Sequence, residues 1–282
     1  QGAPTRKGWF GCSCCPVNVA RFVPSLAGYV YAKSEDAIYV NLFAGGTGTV
    51  SLDGNAVKLT QATDYPWDGD VKITVEPEKA ARFAIRVRVP GWATGSPMPS
   101  DLYRYLDESN AVPVLEVNGE AVDLKTEKGY ATIAREWKAG DTIDLSLPMP
   151  IRRVLSHPKV EANAGRVALE RGPIVYCIEA VDNGGRVFQL AVADDAALSA
   201  SHRGDLLGGV TVIEGDALAK RRGEEGEIMT GKTRFVAIPY YAWCHRGAGE
   251  MTVWIPRTPK LAEVAPEPTI ATKGKASASH CW

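Results

Sequence analysis

An alternation of apolar and polar residues with a period of two runs through this chain after residue 31, and it constrains the fold more than any other feature. Its clearest stretch is RFAIRVRV at residues 82–89, where large apolar residues alternate with arginine. This pattern is typical of a β-strand with one buried face. The dipeptide Asn118-Gly119 lies between two further short runs and predicts a hairpin, because both residues accept the positive φ of a tight turn. The sequence therefore predicts a mainly β protein.

The predicted strands form two groups on either side of Pro148-Met149-Pro150, which we interpret as a domain boundary. The first group is residues 37–43, 83–89, 115–117, 121–124, 129–135 and 141–147, and the second is residues 166–170, 173–180, 187–193, 210–213, 234–240 and 251–256. Short strands with frequent turns predict two antiparallel β-sandwich domains in series, at residues 32–150 and 151–259. We expect the charged residues 219–232 to form an exposed loop, and residues 260–282 to be a linker or a truncated C-terminal segment.

One helix is predicted before the strands, from Pro16 to about Tyr31. Its apolar residues recur at helical spacing and would share one face: Val19, Phe22, Val23, Leu26, Ala27 and Val30. Pro16 suits the first helical position, which makes Cys15 the N-cap and leaves Cys14 just before it. We expect Pro24 to kink this helix near its middle.

Composition excludes two classes of partner. The chain has 32 Lys and Arg against 33 Asp and Glu, a net charge of -1, so no broad attraction to nucleic acid is expected. No run of about 18 apolar residues is present, so we expect no membrane span. The chain begins at Gln1 without an initiator Met and ends at Trp282, and we expect it to be part of a longer protein.

Three of the six cysteines, Cys12, Cys14 and Cys15, lie close together ahead of the predicted helix. Adjacent cysteines hardly pair with each other without strain, so the cluster indicates metal or thiolate chemistry, or buried thiols. A helix N-terminus stabilises a thiolate, which makes Cys14 the candidate nucleophile. Cys14 and Cys15 are also candidate zinc ligands, although zinc takes about four.

Other zinc ligands within the chain would have to come from scattered residues, namely Cys12, Cys177, Cys244, Cys281, His157, His202, His245 and His280. Apart from the neighbours Cys244-His245 and His280-Cys281, none forms a ligand-spaced pair with another. Spacing alone therefore leaves metal or catalytic chemistry and a buried structural role equally open for the cysteines.

Three tryptophans, Trp67, Trp92 and Trp243, lie beside turn signals, where an indole can stack on a sugar ring. A sandwich core also needs large aromatic residues, and that interpretation is favoured for each of them singly. The carboxylates, Glu170 and Glu179 among them, are too scattered to nominate a catalytic pair.

Several longer motifs resemble one family of enzymes. In chain order they are WFGCSCCPVNVARFVPSLAGYVYA, IYVNLFAGG, TDYPWDGDVKITV, IRVRVPGW, GYATIAREWKAGD, RVALERGPIVYCIEAVDN and IPYYAWCHRG. The series resembles the C-terminal half of the glycoside hydrolases of family 127, the β-L-arabinofuranosidase family. It extends over nearly the whole chain, and CSCCP is its most specific motif.

The resemblance implies that residues 1–31 are the C-terminal end of an (α/α)6 barrel catalytic domain and that the two β-sandwiches are accessory. In the family, zinc is held by one glutamate and three cysteines, and two of these match Cys14 and Cys15. Cys14 would also be the nucleophile of a retaining mechanism with a thioglycosyl intermediate. No residue of this sequence matches the family's acid/base glutamate, its zinc-binding glutamate or its third zinc-binding cysteine. The resemblance assigns no role to Cys12.

The resemblance thus predicts a zinc-dependent exo-glycosidase acting on terminal β-L-arabinofuranosides, or a related sugar, of plant glycans. We expect the chain alone neither to hydrolyse sugar nor to hold zinc tightly. The alternative is a non-catalytic carbohydrate-binding or structural β-sandwich protein with buried cysteines. Because zinc thiolates survive best under reducing conditions, the cytoplasm is the favoured compartment.

Overall fold

The computed structural model describes residues 13–264, and it begins with two short helices, α1 (Cys14–Ser25) and α2 (Ala27–Val30). Helix α1 starts two residues before the predicted position, with Ser13 rather than Cys15 as its N-cap. Pro16 is tolerated there because the first four N–H groups of a helix have no intrahelical partner. The predicted helix is interrupted close to Pro24, because α1 ends at Ser25 and α2 begins at Ala27.

The predicted apolar face of this helical segment is largely exposed. Val19, Phe22 and Val23 have relative exposures of 59%, 57% and 56%, and no residue of α1 is buried. Helices α1 and α2 are the only α-helices within residues 13–264. The face therefore has no core to cover in the described part of the chain.

Residues 31–146 contain twelve strands. They are β1 (Tyr31–Lys33), β2 (Ala37–Val40), β3 (Gly46–Leu52), β4 (Asn55–Thr63), β5 (Asp70–Pro77), β6 (Ala81–Arg88), β7 (Tyr103–Tyr105), β8 (Val114–Val117), β9 (Glu120–Ala121), β10 (Thr126–Glu127), β11 (Tyr130–Trp137) and β12 (Asp141–Ser146). Eleven of them form two sheets, ordered β1-β2-β6-β11-β10 and β3-β4-β5-β12-β8-β9.

These two sheets face each other across one apolar core, as a sandwich does. Ile85 on β6 and Ile73 on β5 are fully buried in it, and so is Trp137 at the end of β11. The alternation in residues 82–89 is confirmed, since Phe83, Ile85, Val87 and Val89 all belong to this core. One pairing differs from the predicted antiparallel pattern, because β2 pairs with β6 in parallel.

Residues 151–256 contain nine strands and one large sheet. The strands are β13 (Ile151–Ser156), β14 (Arg166–Arg171), β15 (Ile174–Glu179), β16 (Leu190–Ala191), β17 (Leu198–Arg203), β18 (Val210–Arg222), β19 (Ile228–Pro239), β20 (Met251–Thr252) and β21 (Ile255–Pro256). The main path of the sheet is β16-β18-β19-β15-β14-β13-β7. Core residues such as Leu169, Tyr176 and Phe235 pack together from β14, β15 and β19.

Strand β7 joins the first half of the molecule, residues 31–146, to the second half, residues 151–256. It lies between β6 and β8 in sequence, within the first group of strands, yet Arg104 pairs with Leu155 on β13. The domain bounds stay predictions, at residues 1–31, 32–150, 151–259 and 260–282. Strand β7 lies before residue 150 but pairs with a strand after it, so residue 150 does not divide the sheets completely.

The prediction of a loop at residues 219–232 is wrong, whereas their predicted exposure is largely confirmed, since Ala219 is the only buried residue among them. Strands β18 and β19 continue as a long hairpin to the pair Arg222 and Ile228, and Gly223 N donates to Glu227 O across its turn at 2.8 Å. Ladder hydrogen bonds satisfy the backbone whatever the side-chain charge, so a charged ribbon can extend beyond the core. Among the described residues, no helix is long and apolar enough to cross a membrane.

Candidate functional site

Cys14 and Cys15 lie at the first turn of α1, and both are exposed. Their sulfur atoms are 3.8 Å apart. Two contacts on the same helix fix this turn: Asn18 Nδ2 donates to Cys14 O at 2.9 Å, and Arg21 Nη2 donates to Asn18 Oδ1 at 3.0 Å. The two thiols are therefore presented side by side on an ordered helix end.

The electrostatics of this end favour a thiolate. The N-terminus of a helix carries a partial positive charge and unpaired N–H groups, and both stabilise a nearby anion. The first turn of α1 contains no acidic residue that would oppose the thiolate, and the Ser13 side chain makes no capping hydrogen bond. Cys14 is the first residue of α1 rather than the residue before its N-cap, and its role as a nucleophile stays a prediction.

The donor geometry also fits zinc. Two thiolates about 2.3 Å from a tetrahedral ion are about 3.8 Å apart, and the Cys14 and Cys15 sulfurs are separated by 3.8 Å. Within residues 13–264, no group of three or more His, Cys, Asp and Glu side chains is placed to hold a metal. The described residues therefore supply two of the roughly four ligands that zinc takes.

The scattered candidate ligands do not gather around this pair. Cys177 and Cys244 are buried in the second half of the molecule, with Cys177 on β15. Cys12, His280 and Cys281 lie outside the described residues. His157, His202 and His245 are described, but they do not complete a metal-holding group either.

The structure separates the cysteines into two kinds. Burial raises the pKa of the Cys177 thiol to about 12, and the carboxylate of Glu179 adds to the effect. Cys177 is therefore a protonated core residue at neutral pH. Cys177 and Cys244 fit the interpretation as buried structural thiols, whereas Cys14 and Cys15 are exposed and do not.

The three tryptophans differ in exposure. Trp67 has a relative exposure of 54%, and its Nε1 donates to Tyr241 OH at 2.9 Å across the two halves of the molecule. Trp92 packs against the first core, as the core interpretation predicts. Trp243 is half-buried and stacks on Tyr240, with 6.0 Å between ring centroids. Trp67 is therefore the most accessible of the three.

Two clusters of charged residues could not be found from the sequence. Arg246 donates to Glu179 Oε2 at 2.6 Å and to Asp182 Oδ1 at 2.7 Å. Tyr105 OH donates to Glu170 Oε1 at 2.6 Å. The partners in each cluster are 64 to 67 residues apart, and no local pattern marks such pairs.

Comparisons with known proteins agree with these observations. The family model "Beta-L-arabinofuranosidase, GH127 middle domain" matches residues 37–149, and "Glycoside hydrolase family 127 C-terminal domain" matches residues 151–256. The chain is 32% identical over 270 residues to a non-reducing end β-L-arabinofuranosidase of Bifidobacterium longum subsp. longum. That alignment covers 88% of this chain and 38% of the relative.

Solved structures give the same result. The chain is 44% identical to a GH127 β-L-arabinofuranosidase from Geobacillus stearothermophilus T6, with a TM-score of 0.79 over 90% of this chain and 39% of that one. A second GH127 β-arabinofuranosidase is 41% identical, with a TM-score of 0.89 over 93% of this chain and 41% of that one. The chain thus spans about two fifths of the length of these relatives. It belongs to glycoside hydrolase family 127, whose middle and C-terminal domains it contains.

Proposed function

We propose that the protein is a retaining β-L-arabinofuranosidase in which Cys14 is the nucleophile. The side-by-side exposed thiols at the N-terminus of α1 carry this proposal, because that position stabilises a thiolate. The names of the relatives supply the substrate class, a terminal β-L-arabinofuranoside.

The reaction has two displacements. In the first, the Cys14 sulfur attacks the anomeric carbon, a C–S bond forms, and the C–O bond to the leaving group breaks while an acid protonates the leaving oxygen. In the second, water attacks the same carbon and loses a proton to the conjugate base, and the Cys14 thiolate leaves. Two inversions at one carbon give net retention.

The residues of the first turn have separate tasks in this scheme. Asn18 holds the carbonyl of Cys14 and so fixes the turn that presents the nucleophile. Cys14 and Cys15 would hold zinc, which keeps coordinated thiols deprotonated when it is bound. A carboxylic acid has to protonate the leaving oxygen, and none of the residues 13–264 is assigned that task.

The test is hydrolysis of an aryl β-L-arabinofuranoside by a protein that extends this chain to the full length of its relatives. Cys14→Ala should lower kcat by at least about a thousandfold, because a nucleophile is removed. Ser13→Ala is the matched control, since the Ser13 side chain makes no capping hydrogen bond, and it should stay close to the parent activity. A Cys14→Ala variant that keeps parent activity would exclude Cys14 as the nucleophile.

A non-catalytic, carbohydrate-binding role is the second candidate, and one observation favours it. Trp67 is half-exposed, and its hydrogen bond to Tyr241 holds the indole at the surface. Exposed aromatic rings with polar tips suit the mixed apolar and hydroxyl faces of sugars. Under this function, Trp67→Ala weakens retention on an arabinan affinity gel, while Cys14→Ala leaves it unchanged.

A further inference from the structure

A cleft separate from the cysteines lies where the two halves of the molecule meet. We call it the junction cleft. Residues 93–95, Tyr105, the loop 107–113 and Arg152 contribute to its walls, and its volume is about 810 Å³. Ligand pockets in proteins have volumes of about 300–1,000 Å³ and often lie at domain interfaces. Size and position therefore both suit a binding site.

One wall of the junction cleft is rigidly held. The guanidinium of Arg152 lies 3.9 Å from the centroid of the Tyr105 ring, and its Nη2 donates to Asp107 O at 2.6 Å. On its other side the Tyr105 hydroxyl donates to Glu170, a carboxylate that is only 7% exposed. Because these side chains are already fixed, a ligand that contacts them does not have to immobilise them.

Arg152 also has unused hydrogen-bonding capacity. Its side chain lines the junction cleft although the residue is only 8% exposed. Within the described part of the chain, its buried Nε has no hydrogen-bond partner. A buried polar group without a partner is costly, and an ordered water would relieve that cost.

The charges on the walls point to an uncharged ligand. The lining includes two arginines, Arg104 and Arg152, and two acids, Asp107 and Glu108, so its formal charges cancel. Asn110 adds an amide that both donates and accepts. Such a lining suits many hydroxyl groups, since each hydroxyl also donates and accepts, and it gives no net attraction to an ion.

We propose that the junction cleft is a second carbohydrate site, which binds a neutral oligosaccharide away from the bond that is cleaved. The choice of a sugar rests on the proposed function, but the site does not include Cys14. Its role would be to hold a glycan chain on the accessory part of the protein.

The test is calorimetric titration of the 282-residue chain with arabinotriose, carried out in a Cys14→Ala background so that the cysteine site is removed. Ala111 is exposed and lines the junction cleft, so Ala111→Trp should fill the space and weaken binding at least tenfold. Ala32→Trp places the same bulk at an exposed position on β1 and should bind as the parent does. Asn110→Ala is the second variant, in case Ala111→Trp does not fold, and it should weaken binding several-fold.

The charged trisaccharide trigalacturonate completes the test and should bind no more tightly than arabinotriose. The proposal is overturned if the parent does not bind arabinotriose, if neither cleft variant weakens binding, or if trigalacturonate binds at least tenfold tighter. Because hydrolysis is not measured, such a failure is separate from loss of the proposed activity, which the Cys14→Ala kinetics of the extended protein decide.

Discussion

Replacing Arg246 by alanine should destabilise the protein strongly, because it leaves two carboxylates in a largely buried site without their cation. Arg246 Nη2 lies 2.6 Å from Glu179 Oε2, and Nη1 donates to Asp182 Oδ1 at 2.7 Å. The side chains of Glu179 and Asp182 are only 8% and 14% exposed. Glu179 Oε1 also accepts the backbone N–H of Cys244 at 3.0 Å, so the cluster anchors that turn to β15.

The expected magnitude follows from the burial. Removing one partner of a buried ion pair costs about 3–5 kcal/mol, since the remaining charge stays desolvated. Arg246 is itself 21% exposed, so we expect the lower end, about 3 kcal/mol. Arg234→Ala is the matched control: Arg234 pairs with Asp216 while both side chains are 66% exposed, and such pairs contribute about 0–1 kcal/mol.

Urea denaturation, followed by far-UV circular dichroism, measures both free energies of unfolding. Adding Glu179→Gln and Asp182→Asn to Arg246→Ala removes the unpaired charges. This triple variant should recover part of the free energy of unfolding that Arg246→Ala loses. The reasoning is refuted if Arg246→Ala costs no more than Arg234→Ala, or if the neutralised variant is less stable still.

Three further predictions concern stability. The pKa of the Cys177 thiol rises from 9.0 to about 12 on burial in the folded state. The unfolded state therefore binds fewer protons between these pH values, and the free energy of unfolding should fall by up to about 4 kcal/mol as the pH rises through them. Alkaline urea titrations should show a shallower fall for Cys177→Ala. Trp137 is fully buried and its Nε1 donates to Phe83 O at 3.1 Å, so Trp137→Ala should cost about 3–5 kcal/mol in the same assay, and a loss below about 1 kcal/mol would contradict this packing. A Cβ on Gly69 would lie 1.9 Å from the carbonyl oxygen of Leu147, so Gly69→Ala should lower the melting temperature, with a cost of about 1–3 kcal/mol, and an unchanged melting temperature would exclude the close approach.

The features that could be predicted from sequence are those decided by near neighbours in the chain. The alternation in residues 82–89 fixes which side chains of β6 face the core, and Asn118 and Gly119 have the positive φ values, 53° and 80°, that their hairpin requires. The helix after Cys14 was also predicted, although its first residue was placed two positions late. Near its ends a helix depends on a few backbone contacts, so its boundary is the least determined part.

The features that were missed depend on partners distant in sequence. Strand β7 exists because Arg104 pairs with Leu155, and no sequence pattern near residue 104 predicts that strand. The hairpin of β18 and β19 was missed because its charged residues resemble a loop, whereas the backbone ladder holds it. For the candidate site, the local motif identifies Cys14 and Cys15, but the junction cleft depends on Tyr105 and Glu170, which lie 65 positions apart.

The central claim is that Cys14 forms a covalent bond to the sugar during hydrolysis. The most direct measurement is peptide mass spectrometry of the extended protein after acid quenching during turnover of an aryl β-L-arabinofuranoside. The account predicts a single pentosyl adduct on the peptide that contains Cys14, assigned to that sulfur by fragmentation and missing in Cys14→Ala. Continued hydrolysis with the adduct on a carboxylate residue, or on Cys15 alone, would contradict it.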